Sequence, residues 1–256
     1  AACGSSSPVD GSDAAALNAS LPQPKDSGID HIVVVMMENR SFDHYLGWLP
    51  GADGRQAGLS YPDKNGQMQS TFGLAPEFQG CQFEDPDHSY AGGHTQYDNG
   101  KLDGFLQTVS NPAVKFPIGY YTQNDLPFFG GAAPTFTTCD RYFPGILSST
   151  YPNRFYMHCA QTDRLHNGDV PTGTKFKLTS IWDRLKAKGV SCKYYFSDVP
   201  FTFLMQNHAP ATAFVGDAAA PAPGTFFGDA AAGLLPAVSY VDPRFLNEDS
   251  GLSDDD

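Results

Sequence analysis

No basic run interrupts this chain. Lys and Arg total 16 against 28 Asp and Glu, which leaves a formal charge of −12 and a pI near 4.8. Nucleic-acid backbones are bound through clustered cations, so this balance argues against a nucleic-acid partner. A stretch of about 18 consecutive apolar residues is also missing, so no transmembrane segment is predicted, and a lipid substrate would be met at the membrane interface. The five cysteines, Cys3, Cys81, Cys139, Cys159 and Cys192, form no C-x-x-C pair, which speaks against a structural zinc site. With Cys3 set aside, the remaining four allow up to two disulfides in any of three pairings. They could equally pack as buried free thiols, because Cys behaves as a small hydrophobe. No internal repeat is visible.

What the chain does have is enough apolar material for a core: 41% hydrophobic and 13% aromatic residues over 256 positions, the size of one large domain or two small ones. Residues 1–28 stand apart. They are rich in Ala, Ser, Pro, Gly and Asp without hydrophobic periodicity, the composition of a flexible exported leader or tether. The opening Ala1-Ala2-Cys3-Gly4-Ser5-Ser6-Ser7 is similar to the end of a bacterial lipoprotein signal. That implies export, with the protein secreted or anchored at the cell surface or periplasm by lipidated Cys3. The folded part is expected to start near Ile29.

The densest signal is Ile32-Val33-Val34-Val35-Met36-Met37 running into Glu38-Asn39-Arg40-Ser41-Phe42-Asp43-His44-Tyr45. Six apolar residues in a row cannot alternate inside and outside, so they predict a strand covered on both faces in the middle of a parallel sheet. Such sheets carry function at the C-terminal ends of their strands. Glu38 and Asn39 would sit there as hard oxygen donors for a divalent cation, with Arg40 to Tyr45 opening the next helix. An ordinary strand end with a polar helix cap would read the same way.

Downstream, residues 50–135 are rich in Gly, Pro, Asp and aromatics and predict long irregular loops. Ser180 to Lys188 predicts an amphipathic helix capped by Ser180 or Thr179 and closed by Gly189, followed by a strand over Val190 to Phe196. A further strand is predicted from Leu235 to Val241, leading into Asp242-Pro243. Strand, loop, helix and strand in this order indicate an α/β layer architecture.

Two other clusters bear on chemistry. Asp85-Pro86-Asp87-His88-Ser89, with His94 beyond it, gathers histidines and carboxylates where no apolar pattern explains them, though an Asp/Pro turn would look alike. In Gly145-Ile146-Leu147-Ser148-Ser149-Thr150-Tyr151-Pro152-Asn153-Arg154, Pro152 disfavours the α region for Tyr151, so a helix is predicted to start at Pro152 with Thr150 near its N-terminus. Helix N-termini bind phosphate, and a metal-coordinated hydroxyl there could ionise and attack phosphorus. Simple capping by Ser149 or Thr150 is the other use of such hydroxyls.

Met37 to Gly47, Asp85 to Ser89 and Thr150 to Arg154 together resemble the bacterial phosphoesterase family that holds the phosphatidylcholine-type phospholipases C and a group of acid phosphatases. The resemblance runs from about Ile29 to the end of the chain. It implies an α/β fold, the three-layer αβα sandwich of the alkaline-phosphatase type, with residues 29–256 forming the N-terminal part of a catalytic domain with long loops. By position it implies Glu38 and Asn39 as metal ligands, with Asn39 and Arg154 also serving substrate. Thr150 becomes the nucleophile, with Ser149 as a competitor, and His88 assists at the phosphoryl group or leaving oxygen. The cofactor implied is a divalent metal ion: oxygen ligands permit Ca²⁺, Mg²⁺ or Mn²⁺, and a His-bearing site zinc or iron.

The reaction implied is hydrolysis of a phospholipid headgroup phosphodiester through a phosphothreonine. The alternatives are an acid phosphatase acting on small phosphomonoesters and a cell-surface relative without catalysis. Family members continue beyond the point matching Val241-Asp242-Pro243-Arg244-Phe245 with further His and Asp residues. The expectation is therefore a companion C-terminal polypeptide, a fragment, or a degenerate relative. The closing Asp254-Asp255-Asp256 is expected to be solvated.

Overall fold

The computed structural model describes residues 23, 26–38, 40–78, 85–169 and 176–244. Its centre is a four-stranded sheet of β1 (Ile32–Val35), β6 (Cys192–Phe196), β7 (Thr212–Phe214) and β8 (Val238–Val241). The spatial order is β1-β8-β6-β7 and every neighbouring pair is parallel. The intervening chain forms a hairpin of β2 (Ser60–Pro62) with β3 (Met68–Ser70) and a short parallel pair of β4 (Phe72–Gly73) with β5 (Gly119–Tyr120).

Alternation along the strands assigns the two faces. Tyr194 and Tyr240, opposite each other in register, point to one face, and the helices α4 (Thr150–Cys159) and α5 (Ile181–Ala187) pack there through Phe155, Cys159 and Trp182. Lys193 and Tyr195 point to the other, where α6 (Phe226–Ala231) lies: Tyr195 stacks edge-on against Phe226, and Lys193 and the Tyr195 hydroxyl both reach Asp229 at 2.8 Å. The result is an α/β fold with a parallel sheet flanked by helices.

β1 departs from its prediction. It is a parallel strand, but it lies at the edge of the described sheet, paired on one side only, by β8. Ile32, Val33 and Val35 are 54%, 40% and 61% exposed, and Val34 alone of the four packs against the core. The apolar run encodes a strand with two covered faces; cover depends on neighbours that the run itself does not specify.

Local signals were read more closely elsewhere. Helix α5 starts where Ser180 accepts from the Asp183 N–H while the Asp183 carboxylate accepts back from Ser180, a capping box, and it ends before Gly189 at φ +66°. The helix α1 (Phe42–Leu46) is capped by Ser41. In the region expected to be loop, α2 (Tyr90–Tyr97) and α3 (Pro127–Ala132) form instead. Helix α2 is held by the Ser89 cap on the Gly92 N–H and by close packing of Gly92 on Asp87, not by an apolar stripe. Cys139, Cys159 and Cys192 are free thiols, so two disulfides among the four candidate cysteines do not form; Cys3 and Cys81 lie outside the described residues. No helix among the described residues is long and apolar enough to cross a membrane.

Candidate functional site

Parallel strands β1 and β8 end side by side, and carboxylates lie just beyond them, Glu38 three residues past β1 and Asp242 directly after β8. Glu38 follows β1, and Asp242 follows β8, with the Asp242 N–H continuing the ladder to the Tyr195 carbonyl at 2.9 Å. Between them lies Arg154 from α4, wholly buried. Its Nη1 donates to Asp242 Oδ1 at 2.7 Å and its Nε lies 3.7 Å from Glu38 Oε1. Three segments distant in sequence are thereby tied at one point. Two carboxylates could not be enclosed at these sites without the guanidinium, because isolated buried charges are strongly disfavoured.

Thr150 precedes Arg154 by four residues, one turn, so both occupy the same face of α4. That face is turned to the C-terminal ends of β1 and β8. The helix starts at Thr150, two residues ahead of prediction, with Pro152 inside its first turn. A proline is tolerated there because first-turn N–H groups have no intrahelical acceptor. The predicted bias at Tyr151 is overridden by hydrogen bonds from elsewhere. Asn167 Oδ1 accepts from the Tyr151 N–H at 2.8 Å, while the Asn153 amide donates to the Ser148 and Ser149 carbonyls at 2.8 and 3.2 Å. Ser149 occupies the cap position without a side-chain capping bond. Both Ser149 and Thr150 are 8% exposed.

The His88 loop reaches the same neighbourhood through α2. Gly93 abuts Leu147, Tyr90 packs edge-on against His166, and the Ser148 hydroxyl donates to the Leu165 carbonyl. Helix α2 thus leans on the turn before Thr150 and on the 165–169 loop that caps α4. His88 itself keeps Nδ1 3.0 Å from the Pro86 carbonyl and 3.5 Å from Asp85 Oδ1.

Of the residues picked from the sequence, Glu38 and Arg154 meet directly and Thr150 sits one turn away. Asn39 lies outside the described residues. Asp242, Asn153 and Asn167 acquire roles that their sequence context did not reveal. The signal for Asp242 was a carboxylate at the end of an apolar strand; Asn167 carried none. As cation donors, the Glu38 carboxylate and the Thr150 hydroxyl are hard oxygens, right in kind for Ca²⁺, Mg²⁺ or Mn²⁺. Among the described residues no group of three or more His, Cys, Asp or Glu converges to hold a metal.

Two buried histidines near this region are held neutral. His158, one turn beyond Arg154 on α4 and enclosed by Trp182, Tyr194, Phe201 and Tyr240, is pushed down to about 3 by burial and then by Arg154. His44 sits among Tyr45, Phe116 and Tyr121 and is pushed down to about 4 by burial and by Arg40, a hydrogen bond with the Gly119 backbone opposing the shift.

Phospholipase C A of Mycobacterium tuberculosis is 30% identical over 263 residues, covering 86% of this chain and 50% of that protein. Non-specific phospholipase C1 of Arabidopsis thaliana is 30% identical over 266 residues, 93% of this chain and 47% of its own. Non-hemolytic phospholipase C of Pseudomonas aeruginosa is 27% identical over 211 residues, 72% of this chain and 30% of its own. The chain spans about half the length of the first two relatives. The model of the Phosphoesterase family matches residues 29–254, which takes in the Glu38 segment, the His88 loop, the Thr150 helix and Asp242. The chain belongs to the Phosphoesterase family.

Proposed function

We propose that residues 29–256 form part of the catalytic domain of a metal-dependent phosphoric ester hydrolase of the phospholipase C type, cleaving the headgroup phosphodiester of a phospholipid. The observation that carries it is Thr150 in the first turn of α4, one turn ahead of a buried Arg154 that holds Glu38 and Asp242 at the strand ends. The names of the relatives support the substrate class. The flanking of the sheet by helices on both faces is consistent with the alkaline-phosphatase type of sandwich.

In the proposed reaction the Thr150 oxygen bonds to phosphorus as the bond to the alcohol oxygen breaks, and His88 hands that oxygen a proton. Water then releases the phosphoryl group from Thr150. The N-terminus of α4 favours the anionic phosphoryl oxygens through its dipole, and Asn39 donates to one of them. Arg154 serves by keeping Glu38 in place. A divalent cation on Glu38 and Asn39, its remaining ligands drawn from outside the described residues, would neutralise charge and ease ionisation of the Thr150 hydroxyl. Export with an anchor on Cys3 would bring the site to the lipid surface.

The test is turnover of p-nitrophenylphosphorylcholine against p-nitrophenyl phosphate, with each candidate cation added in turn. Preference for the choline diester, lost by about 10³-fold or more in Thr150→Ala, is expected. Acid-quenched enzyme should also show a covalent adduct on the peptide carrying Thr150. Preference for the monoester would point to an acid phosphatase, and full activity of Thr150→Ala would remove the nucleophile assignment.

A further inference from the structure

A cavity of about 500 Å³ opens beside the 3₁₀ helix Phe201–His208, within the roughly 300–1,000 Å³ of small-ligand sites. Phe203, Leu204, Ala209 and Pro210 give it mostly apolar walls, and none of its lining residues carries a charge. Thr202 lines it too. That side chain is wholly buried, and its hydroxyl has no hydrogen-bond partner among the described residues. A buried hydroxyl left unpaired is costly, so the wall holds one unmet polar group. Gln206, at the same cavity, has φ +51° and ψ −118°, a backbone conformation that favours glycine. Strain of this kind on another residue concentrates where ligands are held.

The cavity adjoins the candidate site. Ser197 follows β6 and donates to the Asp242 carbonyl at 3.2 Å, and three residues on, Pro200 begins the cavity lining. Phe201, between the lining residues Pro200 and Thr202, turns inward onto Tyr151, with ring centroids 5.5 Å apart, and Tyr151 follows Thr150 in α4. Phe203, two residues later, is 76% exposed. An ion or a zwitterionic headgroup would give up hydration in this cavity against no opposite charge. A neutral molecule with an apolar chain and one hydrogen-bonding group would cover Phe203 and meet the Thr202 hydroxyl.

We propose that this cavity binds a neutral acyl glyceride, its chain along Phe203, Leu204, Ala209 and Pro210 and its ester carbonyl accepting from the Thr202 hydroxyl. The choice of a glyceride among neutral amphiphiles rests on the phospholipase C reading, in which removal of the phosphorylated headgroup leaves such a molecule. Occupancy holds the neutral part of the lipid against the segment that packs on Tyr151, next to Thr150.

The test is calorimetric titration of the chain with 1-decanoylglycerol, which needs no turnover. One saturable site is expected, with the carboxylate decanoate binding about 10-fold or more weakly because no cation lines the cavity. Ala209→Trp should fill the cavity and weaken glyceride binding by about 10-fold or more. Thr202→Val should weaken it by about 3- to 10-fold and leave the urea midpoint unchanged or raised, because the lost hydroxyl bonds nothing among the described residues. Absence of saturable binding, tighter binding of decanoate, or unaltered binding by either folded variant would overturn the proposal. A chain that binds the glyceride here yet prefers p-nitrophenyl phosphate would keep the site and remove the phospholipase C reading. Preference for the choline diester without glyceride binding would do the reverse.

Discussion

Replacing Arg154 by methionine keeps much of the side-chain length and removes the charge. Arg154 and Asp242 are 0% and 1% exposed at their side chains, and Glu38 9%, so solvent cannot rescue the carboxylates left behind. Breaking one partner out of a buried pair typically costs about 3–5 kcal/mol. At roughly 2–4 °C per kcal/mol for a domain of this size, Arg154→Met should lower Tm by about 6–20 °C. A double-mutant cycle isolates the pair. Once Arg154 is gone, Asp242→Asn removes a stranded charge, so the double variant should be more stable than the sum of the singles by about 2 kcal/mol or more. Urea unfolding followed by circular dichroism reads all four proteins. Strict additivity, or a cost for Arg154→Met under about 1 kcal/mol, would refute the claim that this arginine holds the strand ends together.

Acid should weaken the fold through its two neutral histidines. Their folded pKa values, about 3 for His158 and about 4 for His44, lie below the unfolded value, so the unfolded chain takes up protons first as pH falls. Their stabilisation is complete above roughly pH 6.5 and declines by about 1.4 kcal/mol per unit per histidine below it; His158→Phe should therefore show a shallower loss of urea midpoint between pH 6 and pH 4.5 than the parent, and parallel curves would contradict the burial argument. Asn167→Ala removes the acceptor for the Tyr151 N–H and should cost about 0.5–2 kcal/mol, with a larger fall in turnover than in substrate binding if α4 loses its register at Thr150. Gly145→Ala would place a Cβ 2.4 Å from Tyr156 Cγ, so the turn before Thr150 must shift, at about 1–3 kcal/mol by thermal unfolding; an unchanged Tm would show that the turn yields freely.

Elements whose signals are local were legible in the sequence. The Ser180–Asp183 box and Gly189 bracket α5 because a cap is made by residues within one turn of the end. The run of Val in β1 announced a strand because β-branched residues fit a pleated surface. Helix α2 escaped notice because Tyr90-Ala91-Gly92-Gly93-His94 has no apolar stripe, and its support comes from the Ser89 cap and from Leu147, more than fifty positions away in sequence. The start of α4 was displaced by two residues because Asn167, from beyond the helix, holds the Tyr151 N–H.

At the site, the sequence by itself determined which chemical groups are available: the Glu38 carboxylate after an apolar strand, the Thr150 hydroxyl near a helix start, and the His88 imidazole in a turn. Only the tertiary structure decided how they are held. Arg154 and Asp242 are 88 residues apart and find each other because α4 packs on the face of the sheet where β1 and β8 end together. The pairing of two buried opposite charges follows from that packing, since neither could be enclosed alone. The position of β1 at the edge of the sheet among the described residues likewise depends on which strands lie beside it, which four consecutive residues cannot encode.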